Sequence, residues 1–237
     1  ILAYNCLGED MKKIVLFLFV LLLPINIYAI SDTAKSTIVM DMDSGRILYQ
    51  KNANEQRLIA STTKIMTAVI AIENGNLDEE VTVGEEVLKM YGSNIYMELG
   101  EVMTLRNLLY GLLLRSGNDA AIVIACNIGK TEEKFVEMMN AKAKEIGMKN
   151  TIFRNSHGLD EETKNYSTAK DMAILSSYAN KLDVYKQISK TKKWSVQTDK
   201  KSYVWNNRNK LLYSYKNATG GKTGYTPSAG RTLVTTA

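Results

Sequence analysis

Three Ser-x-x-Lys pairs occur in the 237-residue chain: Ser61/Lys64, Ser167/Lys170 and Ser189/Lys192. A serine hydroxyl is a weak nucleophile that needs a base, and a lysine supplies one only while its amine is neutral. Burial and a second nearby cation lower an ammonium pKa enough to allow that. The first pair stands apart by context. Ser61 opens an apolar run in which Ile65, Met66, Val69, Ile70 and Ile72 recur at helical spacing until Asn74-Gly75. There, i and i+3 share a face, and the helix N-terminus offers free N–H groups and a positive partial charge. Taken alone, Ser61 still reads more simply as a helix cap and Lys64 as a solvated charge.

Two further motifs reverse that balance. Ser116-Gly117-Asn118 is the only Ser-x-Asn and sits at a sharp break between apolar helices, where polar side chains project into a cleft. Lys222-Thr223-Gly224 is the only Lys-Thr-Gly and follows Gly220-Gly221, which let a ligand backbone approach a strand closely. His157 could be imagined as the base of a Ser-His-Asp triad, but no Gly-x-Ser-x-Gly elbow exists, and a loop anchor with Asp160 explains it. Cys126 lies among Ile122, Val123 and Ile124 and reads as a core thiol rather than a nucleophile. Two cysteines and one histidine cannot supply a zinc cluster, an iron–sulfur site or a disulfide framework, so no metal and no cofactor are expected.

The elements that must position these residues follow from periodicity. Residues 37–42 and 46–50 flank Asp43-Ser44-Gly45 and predict a hairpin. Helices are expected over 105–114, 119–128, 134–146 (closed by Gly147) and 168–180, with a polar stretch over 150–166. From Trp194 the texture turns to strand, over 203–205, 220–226 and 231–236. Strands, a long helical middle and strands again predict an antiparallel sheet with edges from both ends and helices packed on it.

The balance of 45% hydrophobic and 23% charged residues suits a globular protein and excludes disorder, collagen-like repeats and coiled coil. The net charge of +5 reads as basic residues scattered among acidic ones, not as a patch, and no nucleic-acid partner is expected. Met11-Lys12-Lys13, the apolar run from Ile14, Pro24 and Ala29 read as a secretory signal over 11–29, cleaved after Ala29. An uncleaved anchor is the competing reading, weakened by the short span and by Pro24 and Asn26. Residues 1–10 precede the start at Met11 and read as upstream sequence; residues 30–237 form the exported segment.

Ser61-Thr62-Thr63-Lys64, Ser116-Gly117-Asn118 and Lys222-Thr223-Gly224, in this order and at these separations, resemble the active-site set of penicillin-binding proteins and serine β-lactamases. Residues 60–68, 114–121, His157-Gly158-Leu159-Asp160 and 166–173 are similar to one branch, the low-molecular-mass D-alanyl-D-alanine carboxypeptidases, and the similarity covers residues 36–237. The resemblance implies an α+β fold of the β-lactamase/transpeptidase type. The strand and helix that follow in that family, and the membrane association carried by its C-terminal segment, are expected to lie beyond Ala237. It implies an enzyme outside the cytoplasm that removes the terminal D-alanine from peptidoglycan stem peptides and is acylated by β-lactams. Ser61 would be the acylated nucleophile, Lys64 its base, and Ser116 the relay to the leaving D-alanine. Asn118 would orient Lys64 and the substrate amide, Lys222 would hold Ser116, and Thr223 would bind the terminal carboxylate. Gly224 completes that substrate-binding strand, and the Tyr225 and Ser61 N–H groups would form the oxyanion hole. Arg208 matches a position near the carboxylate end of the cleft, and a surface arginine is the equal alternative. Two rivals remain: a class A β-lactamase and a non-catalytic wall-binding relative; Glu161 to Asn165 spells the Glu-x-x-x-Asn of the first, but it follows His157-Gly158-Leu159-Asp160 and reads as a coincidence.

Overall fold

A computed structural model describes residues 8–21 and 32–237, in two units, 1–33 and 34–237. In the first unit the described element is helix α1 (Glu9–Leu21). It contains the start of the apolar run from Ile14, whereas Pro24 and the expected cleavage point at Ala29 lie outside the described residues.

The second unit opens with strands β1 (Thr37–Met40) and β2 (Ile47–Lys51), the expected hairpin, with a register shift between Val39 and Met40. Its turn is held by Asp41, whose Oδ1 accepts from Ser44 N at 2.8 Å and Ser44 Oγ at 2.5 Å. Strand β3 (Arg57–Leu58) leads through a 3₁₀ turn, Ala60–Thr63, into helix α2 (Lys64–Asn74). A short ribbon of β4 (Glu80–Thr82) and β5 (Val102–Thr104) precedes α3 (Leu105–Tyr110), which widens into a π turn over Gly111–Arg115. Helices α4 (Asn118–Gly129) and α5 (Glu132–Glu145) follow. The second starts two residues before the expected 134 because the Thr131 hydroxyl caps it, accepting from Lys134 N at 3.3 Å.

Strand β6 (Tyr166–Ser167) pairs with β3, and Thr168 caps α6 (Ala169–Ala179) by accepting from Asp171 N at 3.0 Å. Helix α7 (Asp183–Lys190) was not foreseen, since its apolar face is only Val184, Tyr185 and Ile188 in eight residues. Hairpin β7 (Lys193–Gln197) and β8 (Ser202–Asn206), the short helix α8 (Leu211–Ser214), and hairpin β9 (Gly220–Thr226) and β10 (Gly230–Thr236) complete the unit.

The α+β class and the helical middle are as expected. Among the described residues, however, the strands pair as two-stranded antiparallel ribbons, so β1–β2 and β9–β10 are not hydrogen-bonded into one sheet. They share a support instead, because α6 packs against both β1 and β10. The core lies around α2 and α4, where Ile65, Met66, Ala68, Val69, Ile124 and Leu108 are almost wholly buried. Burying side chains of this size contributes about 1.5–3 kcal/mol each and fixes the helices that carry the motifs.

The polar stretch between α5 and β6 carries little regular structure because side-chain amides satisfy its backbone. Asn165 Oδ1 accepts from Arg154 N at 2.7 Å and Asn155 N at 3.1 Å, and Asn165 Nδ2 donates to Thr63 Oγ1 at 3.0 Å. That last bond ties the loop to the entry of α2.

Candidate active site

The entry of α2 is the centre of the site. Ala60, at φ +46°, opens the 3₁₀ turn and places Ser61 second in it, among the early N–H groups that lack an intrahelical acceptor. One turn on, the Lys64 side chain is completely buried, and its Nζ donates to Ser61 Oγ at 3.1 Å, Asn118 Oδ1 at 2.7 Å and the His157 carbonyl at 2.5 Å. All three partners are uncharged. Burial, then the nearby Lys222 charge, hold the Lys64 ammonium well below the usual lysine range; Asp119 opposes this and Arg208 adds to it. A lysine whose neutral form is favoured, within hydrogen-bond reach of a serine hydroxyl, can take that proton.

The break between α3 and α4 supplies the second motif. Ser116 adopts φ +65° between the π turn and α4, and its Oγ accepts from Lys222 Nζ at 2.9 Å. Asn118, at the start of α4, accepts from Lys64 and donates through Nδ2 to the Tyr91 carbonyl at 2.7 Å, which fixes its amide orientation.

Strand β9 supplies the third. Lys222 is 2% exposed and also donates to the Thr223 carbonyl at 2.6 Å. Burial and the Arg208 charge push its ammonium down to about 7. Gly224 is required by proximity: a Cβ there would sit 2.9 Å from Ser61 N and 2.4 Å from Thr232 Oγ1. The strand therefore passes directly over the amide of Ser61. Thr223 is half-buried, and Tyr225 is 65% exposed on the open side. Arg208 stands at the rim, its Nη1 donating to Ser93 Oγ at 2.7 Å.

The loop 155–160 closes the site from the other side. Gly158 has φ +88°, and a Cβ there would lie 2.0 Å from the Ala60 carbonyl oxygen. His157 takes part through its backbone only. Its Nδ1 accepts from Leu159 N at 3.1 Å, its Nε2 faces Glu132 at 3.8 Å, and burial pushes its pKa down to about 3. Glu132 in turn accepts from Ser156 N at 2.8 Å and Ser156 Oγ at 2.7 Å. Asp160, 6% exposed, accepts from Thr226 Oγ1 at 2.6 Å. The loop thus touches both the lysine of the first motif and the strand of the third.

The structure brings Ser61, Lys64 and Asn118 into one hydrogen-bonded group, and Ser116 and Lys222 into a second. Thr223, Gly224, Tyr225 and Arg208 lie on the strand and rim beside them. Of the other two Ser-x-x-Lys pairs, Ser167 closes β6 with Lys170 in the first turn of α6, and Ser189 and Lys192 fall at the end of α7. Glu161 acts on Tyr91, whose hydroxyl pKa is raised by burial and then by this carboxylate, and among the described residues Lys64 bonds Ser61, Asn118 and His157 instead. Sequence reasoning missed the Tyr91 and His157 carbonyls and the Thr226 hydroxyl. The first two act through backbone oxygens, which leave no residue-type signal.

The family described as D-alanyl-D-alanine carboxypeptidase matches residues 27–237. D-alanyl-D-alanine carboxypeptidase DacF of Bacillus subtilis is 41% identical over 211 residues, covering 86% of this chain and 54% of that protein. D-alanyl-D-alanine carboxypeptidase DacC of Escherichia coli is 36% identical over 226 residues, 90% of this chain and 55% of that protein. The chain thus spans about half the length of these two relatives. Among solved structures, a mutant of the Streptomyces K15 DD-transpeptidase superposes with TM-score 0.83 at 34% identity, covering 88% of this chain and 87% of that one. A D-alanyl-D-alanine carboxypeptidase from Mycobacterium tuberculosis gives TM-score 0.82 at 30% identity, over 90% and 88%.

Proposed function

The chain belongs to the D-alanyl-D-alanine carboxypeptidase family, and from that premise we propose that it is a serine-type carboxypeptidase releasing the terminal D-alanine of peptidoglycan stem peptides through an acyl-enzyme on Ser61. The observation that carries this reading is the buried Lys64 amine, 3.1 Å from Ser61 Oγ and bonded only to uncharged partners. In the first step the neutral Lys64 amine takes the Ser61 proton as Oγ bonds to the carbonyl carbon of the penultimate residue. The oxyanion is met by the N–H groups of Ser61 and Tyr225, on the turn and strand that Gly224 allows to touch. Ser116, held by Lys222, passes its hydroxyl proton to the leaving D-alanine nitrogen and takes back the proton that Lys64 gained from Ser61, so the peptide bond breaks and the Lys64 amine is neutral again. Thr223 and Lys222 receive the terminal carboxylate, with Arg208 adding positive field from the rim. Asn118 orients the Lys64 amine and the substrate amide. Water then attacks the ester with Lys64 again as base, releasing the shortened peptide.

β-Lactams would acylate the same serine. We further propose that residues 11–29 direct export, that 30–237 act at the wall in peptidoglycan remodelling, and that the protein associates with the membrane. Mass spectrometry after incubation with benzylpenicillin tests the reading. A long-lived adduct abolished by Ser61→Ala is expected. Rapid turnover of the antibiotic would instead identify a β-lactamase, and a folded protein without adduct a non-catalytic relative.

A further inference from the structure

Residues 181–216 hold ten Lys or Arg against two Asp, a balance of +8 within a chain of net charge +5. The basic residues are therefore not evenly scattered, as composition alone suggested, and the fold gathers several of them. A groove of about 690 Å³ runs between the end of α7 and α8, with Lys190, Lys192 and Lys216 on its walls and Tyr213, Tyr215 and Thr219 between them. No acidic side chain lines it. Lys186, one helical turn before Lys190, extends the same face of α7. Among the described residues none of these four ammonium groups has a carboxylate within 4.0 Å. Lys192 Nζ stands 5.6 Å from the centre of the Tyr213 ring, which holds the charge over the groove. Tyr213 and Tyr215 are each about half exposed, at 53% and 48%.

We propose that this groove binds a linear phosphodiester-linked polyanion of the cell envelope, with polyol or sugar repeats that rest on the two tyrosines. Unpaired ammonium groups on both walls fit a chain of phosphates passing between them, and releasing its counterions supplies the affinity. A bilayer is a poorer match, because the surface is concave and its large exposed side chains are tyrosines, with no aliphatic wedge to enter the acyl region. Ala218 and Thr219, which line the groove, lead directly into β9. Four residue steps along the strand, roughly 13 Å, separate Thr219 from Thr223, so a bound polymer would lie beside the cleft without entering it.

This surface is independent of the carboxypeptidase reading, and its test has a separate readout. Fluorescence anisotropy with a labelled poly(glycerol phosphate) oligomer measures binding to the full chain between about 50 and 200 mM salt. The expected result is saturable binding that weakens steeply with salt. Replacing Lys190, Lys192 and Lys216 together by Ser should weaken it at least about tenfold and reduce the log–log salt slope by about 2–3. The triple Arg replacement should keep it. Circular dichroism spectra and thermal melts should match wild type in both variants, which shows that each is folded. Absence of binding at low salt, binding undiminished in the Ser variant, loss in the Arg variant, or tighter binding to phosphatidylglycerol vesicles or to single-stranded DNA of equal charge would each overturn the proposal.

Discussion

Lys64 Nζ lies 2.5 Å from the main-chain oxygen of His157, so the only histidine of the chain meets the site through its backbone while its ring turns toward Glu132. Two substitutions separate these roles. Lys64→Ala should lower the rate of penicillin acylation by about 10²–10⁴, the usual worth of a positioned base. His157→Gln should stay within about tenfold of wild type, since the carbonyl remains. Because the Lys64 pKa is lowered, the neutral fraction and the wild-type rate should rise with pH, and stopped-flow acylation of Lys64→Ala should lack that limb.

Lys222 predicts how stability depends on pH. Burial and Arg208 bring its pKa from the ordinary 10.5 to about 7. Between those values the unfolded chain holds a proton that the native state does not, so unfolding free energy rises with pH by up to about 1.4 kcal/mol per unit. Below about 7 the native state bears the whole cost of charging the buried amine. Urea melts of wild type and Lys222→Met across pH 7 to 10 should differ by this slope, and parallel curves would contradict the assignment.

The buried bond from Thr226 to Asp160 anchors β9 one residue beyond the Tyr225 amide. Removing its acceptor leaves the buried Thr226 O–H without a partner for its proton, while its oxygen still accepts from Ala229 N at 3.0 Å, at a cost of about 1–3 kcal/mol. Asp160→Ala should slow acylation about ten- to a hundredfold through a displaced oxyanion strand. Asp160→Asn, which keeps an acceptor, should recover most of the rate, and Asp160→Ala combined with Thr226→Val should be no worse than either alone.

Gly158 meets the Ala60 carbonyl at a distance that leaves no room for a side chain. Gly158→Ala combines that clash with a left-handed backbone and should destabilise the fold by about 2 kcal/mol or more, read as a lowered midpoint in thermal melts.

The motifs were legible because each couples a rare residue pattern to a break in periodicity. Ser61 and Lys64 share one face of an apolar helix, Ser116 and Asn118 fall at a helix junction, and Lys222 lies on a glycine-flanked strand. The helices α2, α4 and α6 were readable for the same reason. Helix α7 was not, because only three of its eight positions are apolar and as many are charged. The pairing, among the described residues, of β1 with β2 alone and of β9 with β10 alone could not be inferred, since alternation reports which face is buried and not which strand lies beside it. The basic groove was hidden by the acidic residues elsewhere in the chain, which bring the total charge down.

Ala60 and Ser116, each beside or within a motif, hold positive φ angles of 46° and 65° without being glycine. Such a conformation costs about 1–2 kcal/mol per residue. Both are almost completely enclosed, at 2% and 4% exposure, so the surrounding packing holds them there. Relaxing either turn would move Ser61 or Ser116 out of line, so acylation should be lost on warming no later than the helical signal, and following both together on one sample checks this.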